Sequence, residues 1–133
     1  MRVHSLSFVA LLTAASISFA ASGAEPSPSA KLEIEQLLGR LAESDCRFHR
    51  NGSWHDTAEA RAHIEKKYRY LLERHLVRTT DDFIALAATK SSTSGKPYLV
   101  QCGNQAQVPS AQWMTAQLAK VRAAKPDARP KTR

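Results

Sequence analysis

SSTSGKPYLVQCG, from Ser91 to Gly103, combines a turn-forming run, a Gly-Lys-Pro breaker and a short strand that ends in a cysteine. Its counterpart is CRFHRNG, from Cys46 to Gly52, which carries the other cysteine. Side chains alternate along a strand, so Tyr98, Val100 and Cys102 share one face and Leu99 and Gln101 the other. By the same rule Cys46 and Phe48 point one way, Arg47 and His49 the other. Asn51-Gly52 is a strong hairpin signal, because a type I′ turn needs positive φ at both central positions. A bridge between Cys46 and Cys102 would therefore pin an N-terminal hairpin to a later strand. It closes a loop of 57 residues, counted inclusively. Chain entropy assigns such a loop about 4 kcal/mol. In a small domain that is a large share of total stability.

The N-terminus bears on compartment. Arg2 precedes an uncharged run, LSFVALLTAASISFAA, from Leu6 to Ala21. Small residues at Ser18 and Ala20, or at Ser22 and Ala24, suit cleavage after Ala20 or after Ala24. This is the pattern of a signal peptide. The run is shorter than the roughly 20 residues a membrane span needs. The expected product is periplasmic or secreted, without a transmembrane span, in a compartment where two cysteines can pair. Their separation does not match metal-ligand spacing, so neither a metal nor another cofactor is expected.

The formal charge of +7 is unevenly spread. Between Lys31 and Leu118, twelve Lys or Arg stand against ten Asp or Glu, a balance of +2. Between Ala119 and Arg133, six basic residues stand against one acid, a balance of +5. No aromatic residues are interleaved with the terminal excess, which argues against nucleic acid as a partner. An anionic membrane or cell-wall surface suits it better.

Taken in order, residues 25–30 read as a linker, residues 31–123 as one domain, and residues 124–133 as a disordered basic tail. Ile34, Leu37, Leu38 and Leu41 form one helical stripe, with Glu33 and Glu35 in its first turn. The hairpin follows. Asp56 and Glu59 then form a capping box for a long helix to about Leu76, with Ala60, Ile64, Tyr68, Leu71 or Leu72, and Leu76 inward. Its outer side offers Arg61–Glu65, Glu65–Arg69 and Arg69–Glu73 pairs. Thr79 or Thr80 caps a short helix through Ala88, with Phe83, Ile84, Leu86 and Ala87 on its apolar side. A strand covers Tyr98–Gln101, and a fourth is expected over Gln105–Val108, stopped by Pro109. Ser110 is the expected cap of a last helix to about Ala123. Strands and helices do not alternate as βαβ units. The expected fold is α+β, a small antiparallel sheet of three or four short strands packed against about four helices.

SDCRFHRNG, AHIEKKYRY, DDFIALAATKSSTSGKPYLVQC and a tryptophan in the last helix together resemble the DUF5329 family of small exported bacterial proteins. The resemblance spans about Leu32 to Leu118 and departs from the family pattern at Ile64, where leucine is more usual. It implies a bacterial origin and a single exported domain, with no catalytic assignment.

Two groups of residues are candidates for function. His63 and Lys67 are four apart and share a face of the long helix. If the short third helix folds back, they meet the Ser91–Gly95 loop. His63, Lys67, Ser91, Ser92, Ser94 and Tyr98 then form a site for an anion, with hydroxyls and amides positioning it and lysine supplying charge. The same set allows a serine nucleophile with His63 as base, the hydrolase alternative. The second group, Trp54, His55, His49 and Arg50, makes an interaction patch for an envelope protein at the hairpin tip. No GxSxG, HExxH or phosphate-loop signature is present. The expectation is an exported binding or interaction protein of the bacterial envelope rather than an enzyme.

Overall fold

The computed structural model describes residues 25–125. The expected signal peptide, and the expected tail beyond Lys125, lie outside the described residues. Four helices pack on a four-stranded antiparallel sheet, in the order α1 (Pro28–Glu43), β1 (Cys46–Arg50), β2 (Ser53–His55), α2 (Thr57–Glu73), α3 (Thr80–Ala87), β3 (Leu99–Cys102), β4 (Val108–Pro109) and α4 (Ser110–Ala123). Across the sheet the strands run β2-β1-β3-β4. The α+β expectation is met.

Helix α1 is the hub, since α2, α3 and α4 all pack against it. Its stripe of Ile34, Leu37, Leu38 and Leu41 is fully buried, as the periodicity requires. The helix starts at Pro28, inside the stretch expected to be a linker. Ser27 Oγ accepts from the Ala30 amide at 3.1 Å, and Pro28 occupies the first turn, where its missing N–H costs nothing. The prolines and serines that read as linker are therefore a helix start signal. Glu33 consequently falls in the second turn and is turned inward rather than toward the helix end.

Strand β1 pairs with β2 on one side and β3 on the other. Phe48 faces His55, and His49 faces Trp54 across the hairpin. Against β3, Cys46 faces Cys102 and Phe48 faces Val100. The two cysteines are bonded at directly paired positions, with Cα atoms 3.9 Å apart. Asn51 and Gly52 take φ of 48° and 85°, as the turn demands. Phe48 and Val100 belong to the core, and Trp113 of α4 meets Phe48 edge to face at 5.7 Å.

Several boundaries differ from expectation for local reasons. Helix α2 ends at Glu73 because His75 adopts φ of 55°. The His75 amide then bonds Leu72 O at 3.0 Å and the Leu76 amide bonds Leu71 O at 3.1 Å, a Schellman closure. Leu76 is left half exposed, outside the stripe. Leu86 is also exposed rather than packed. Of the three ion pairs expected on α2, Arg61–Glu65 closes at 2.6 Å. Strand β4 includes Pro109, which an edge strand tolerates because one side needs no ladder donor. Ser110 does not cap α4. Its hydroxyl makes no capping bond and is buried without a hydrogen-bond partner in the protein.

A polar tie closes the far end of the core. Glu33 is only 6% exposed. Its carboxylate accepts from Arg122 Nε at 3.2 Å and Nη2 at 3.1 Å, from Lys125 Nζ at 2.8 Å and from Thr80 Oγ1 at 2.6 Å. These donors, Arg122 foremost, hold its pKa down at about 2. Two basic residues of the terminal excess are thus matched internally, and Lys125 lies in an ordered contact rather than in a free tail.

Candidate functional site

Three segments distant in sequence converge on one cleft. Helix α2 contributes His63, Lys66, Lys67, Tyr70 and Leu71, whose spacing puts them on a single face. The hairpin supplies Arg50 and Asn51. The loop after α3 supplies Ser91, Ser92 and Thr93, and Tyr98 lies at the base. Leu86 of α3 completes a volume of about 440 Å³. Three cations line this cleft and no carboxylate does.

Alternation places Arg50 on the same strand face as Phe48, toward α2. Arg50 Nη1 donates to His63 Nδ1 at 3.0 Å. A guanidinium has donors only, so Nδ1 is the acceptor and the proton of neutral His63 sits on Nε2. That nitrogen donates to Tyr98 Oη at 2.9 Å. Lys67 Nζ donates to the same oxygen at 3.2 Å and to Lys90 O at 2.8 Å. Burial, reinforced by the charges of Arg50 and Lys67, depresses the His63 pKa to about 4. Burial, with Arg50 second, lowers that of Lys67. Tyr98 is shifted upward by burial, against a weaker opposing pull from Arg50, and keeps its proton. Its oxygen already accepts twice, which leaves the phenolic hydrogen to donate elsewhere.

Asn51 fixes the loop. Its Nδ2 donates to Ser91 Oγ at 3.2 Å, and its Oδ1 accepts from Ser94 Oγ at 2.6 Å. Ser91 Oγ also accepts from the Thr93 and Ser94 amides, both at 3.3 Å. Ser91 and Ser94 therefore shape the loop, the latter from outside the cleft, while Ser92 and Thr93 line it. Among the described residues no hydrogen bond joins His63 to a serine, and the imidazole is engaged by Arg50 and Tyr98 instead. The structure thus brings together His63, Lys67, Ser91, Ser92 and Tyr98, and adds Arg50, Asn51, Lys66 and Tyr70.

Of the second candidate group, His49, Arg50 and His55 line a small recess beside Phe48, Glu59 and His63, and Trp54 does not. Trp54 is half-buried on the sheet face opposite Phe48, 5.0 Å edge-on from His49 and beneath Arg47 at 5.1 Å. His55 shares the inner face with Phe48 and lies 3.4 Å from Glu59. Arg50 belongs to the cleft. On the outer face Trp54 has His49 and Arg47 as neighbours. Elsewhere, Asp45, Cys46 and Cys102 cluster closely, but the sulfurs are bonded to each other, so a metal would find one carboxylate there. No helix among the described residues is long and apolar enough to cross a membrane.

The fold and the cleft define a small disulfide-bridged α+β domain with a cation-lined recess framed by α2, the hairpin and a serine-rich loop. A family model described as "Family of unknown function (DUF5329)" matches residues 28–122, and the chain belongs to that family. No curated protein and no solved structure matches it.

Proposed function

We propose that this is an exported, non-enzymatic binding protein of the bacterial envelope, and that its cleft takes up an anionic group. The supporting observation is the lining itself: Arg50, Lys66 and Lys67 without a carboxylate, beside donors from Tyr98, Asn51 and Ser92. A recess that presents donors and positive charge is complementary to clustered acceptor oxygens, as in a carboxylate or phosphate. Engagement of His63 by Arg50 supports binding over nucleophilic catalysis, because the imidazole nitrogen that a serine would need accepts from a guanidinium. Export is supported by the N-terminal pattern and by a disulfide, which persists in oxidising compartments.

Titration of the oxidised protein with inorganic phosphate, followed by amide and lysine NMR shifts, tests the reading. Perturbations centred on Arg50, Lys66, Lys67 and Ser92, and abolished in Lys66→Ala/Lys67→Met, are expected. Shifts spread evenly over surface lysines, or none at all, would count against it.

A further inference from the structure

Resting on the anion reading, we propose that the physiological ligand is a small amphipathic anion. Its carboxylate or phosphate head meets Arg50, Lys66 and Lys67, and its apolar or aromatic body lies on Tyr70, Leu71 and Leu86. The lining of the cleft is polarised along α2. His63, Lys66 and Lys67 come first, and Tyr70 and Leu71 follow one turn later, about 5.4 Å along the axis. A ligand that satisfies both ends therefore carries its apolar part within one short group of its charge.

The apolar end is exposed to solvent. Tyr70 is 54% and Leu86 44% exposed, and both line the cleft from different helices. Solitary exposed apolar side chains are ordinary, but here two of the four large ones among the described residues flank one cationic recess. Arg74 stacks 3.5 Å over the Tyr70 ring and bonds Tyr70 O at 3.3 Å. That contact covers one face of the ring with the guanidinium. The volume of about 440 Å³ also exceeds the needs of an inorganic anion. Recesses that hold organic ligands span roughly 300–1,000 Å³ and combine an apolar lining with a few convergent polar groups.

The test compares dissociation constants of phenyl phosphate, inorganic phosphate and benzyl alcohol on oxidised protein by calorimetry. Phenyl phosphate is expected to bind about tenfold tighter than phosphate, from burial of one ring in an open site. Leu86→Ser and Tyr70→Ala, both at exposed positions, are expected to bring that ratio close to one, with the fold verified by amide spectra. A ratio near one in the unaltered protein, with phosphate bound, overturns this inference and leaves the anion reading standing. Benzyl alcohol binding as tightly as phenyl phosphate overturns both, as does no binding by any of the three.

Discussion

Arg50 Nη1 and His63 Nδ1 stand 3.0 Å apart, a cation donating to a ring that burial and positive neighbours keep neutral. The pair joins the hairpin to α2 and fixes the direction of every hydrogen bond that follows, through Tyr98 to Lys67.

That geometry has a pH signature. His63 has a folded pKa near 4, against an ordinary value of 6.5. The unfolded chain therefore binds the proton first. Stability is unaffected by this group above about pH 6.5 and declines as pH falls toward 4. Denaturant melts between pH 7 and 4 are expected to show the decline, and His63→Asn to flatten it. Arg50→Met is expected to raise the imidazole midpoint, read by proton NMR, because it removes a positive charge that repels the proton. A midpoint that stays put would show that Arg50 is not close to the ring in solution.

The Cys46–Cys102 bond closes the sheet at a paired position. Replacing both cysteines with alanine is expected to cost about 4 kcal/mol in urea unfolding. A loss below about 1 kcal/mol would mean that strand pairing alone holds the hairpin to β3.

Glu33 is buried against two half-exposed cations. Its folded pKa lies below its ordinary 4.5, so its contribution is complete above about pH 4.5 and is lost as pH falls through about 2. Glu33→Gln is expected to destabilise by about 1–2 kcal/mol at pH 7, with solvent screening at Arg122 and Lys125 limiting the effect. The same substitution should reduce the acid sensitivity of unfolding and speed hydrogen exchange at the end of α4. Equal stability of the two proteins at neutral pH would contradict the tie.

Gly39 sits inside α1, where a Cβ would meet nothing within 4 Å. It serves no close approach. Gly39→Ala is expected to raise stability by about 1 kcal/mol, as helix propensity alone predicts. A destabilised variant would show a neighbour that this packing does not contain.

The parts of the fold legible in sequence are those governed by local period and turn chemistry. The α1 stripe, the Asp56–Glu59 capping box, the Thr79 cap, the Asn51-Gly52 turn and the alternation along the two cysteine strands all follow from neighbours in the chain. The linker reading failed at Pro28 because composition suggested disorder where position allowed a helix start. The cleft was half legible. His63, Lys67 and Tyr98 were found by helical spacing and strand alternation. Arg50 is the sequence neighbour of His49, yet alternation turns it to the face of Phe48 and α2. The grips of Asn51 on Ser91 and of Glu33 on Arg122 join residues 40 and 89 positions apart, which no local pattern encodes. Tyr70 and Leu86 looked like ordinary helix residues, because only the docking of α2 beside α3 brings them to one recess.

Anion uptake beside His63 must stabilise its protonated form, and by reciprocity binding must tighten as the ring charges. The most direct test is the His63 imidazole titration, followed by NMR on oxidised protein with and without saturating inorganic phosphate. The midpoint is expected to rise from about 4 when phosphate is present, whereas in Lys66→Ala/Lys67→Met phosphate is expected to leave the variant's own midpoint where it was. An identical midpoint in the unaltered protein with and without phosphate would contradict anion binding in this cleft.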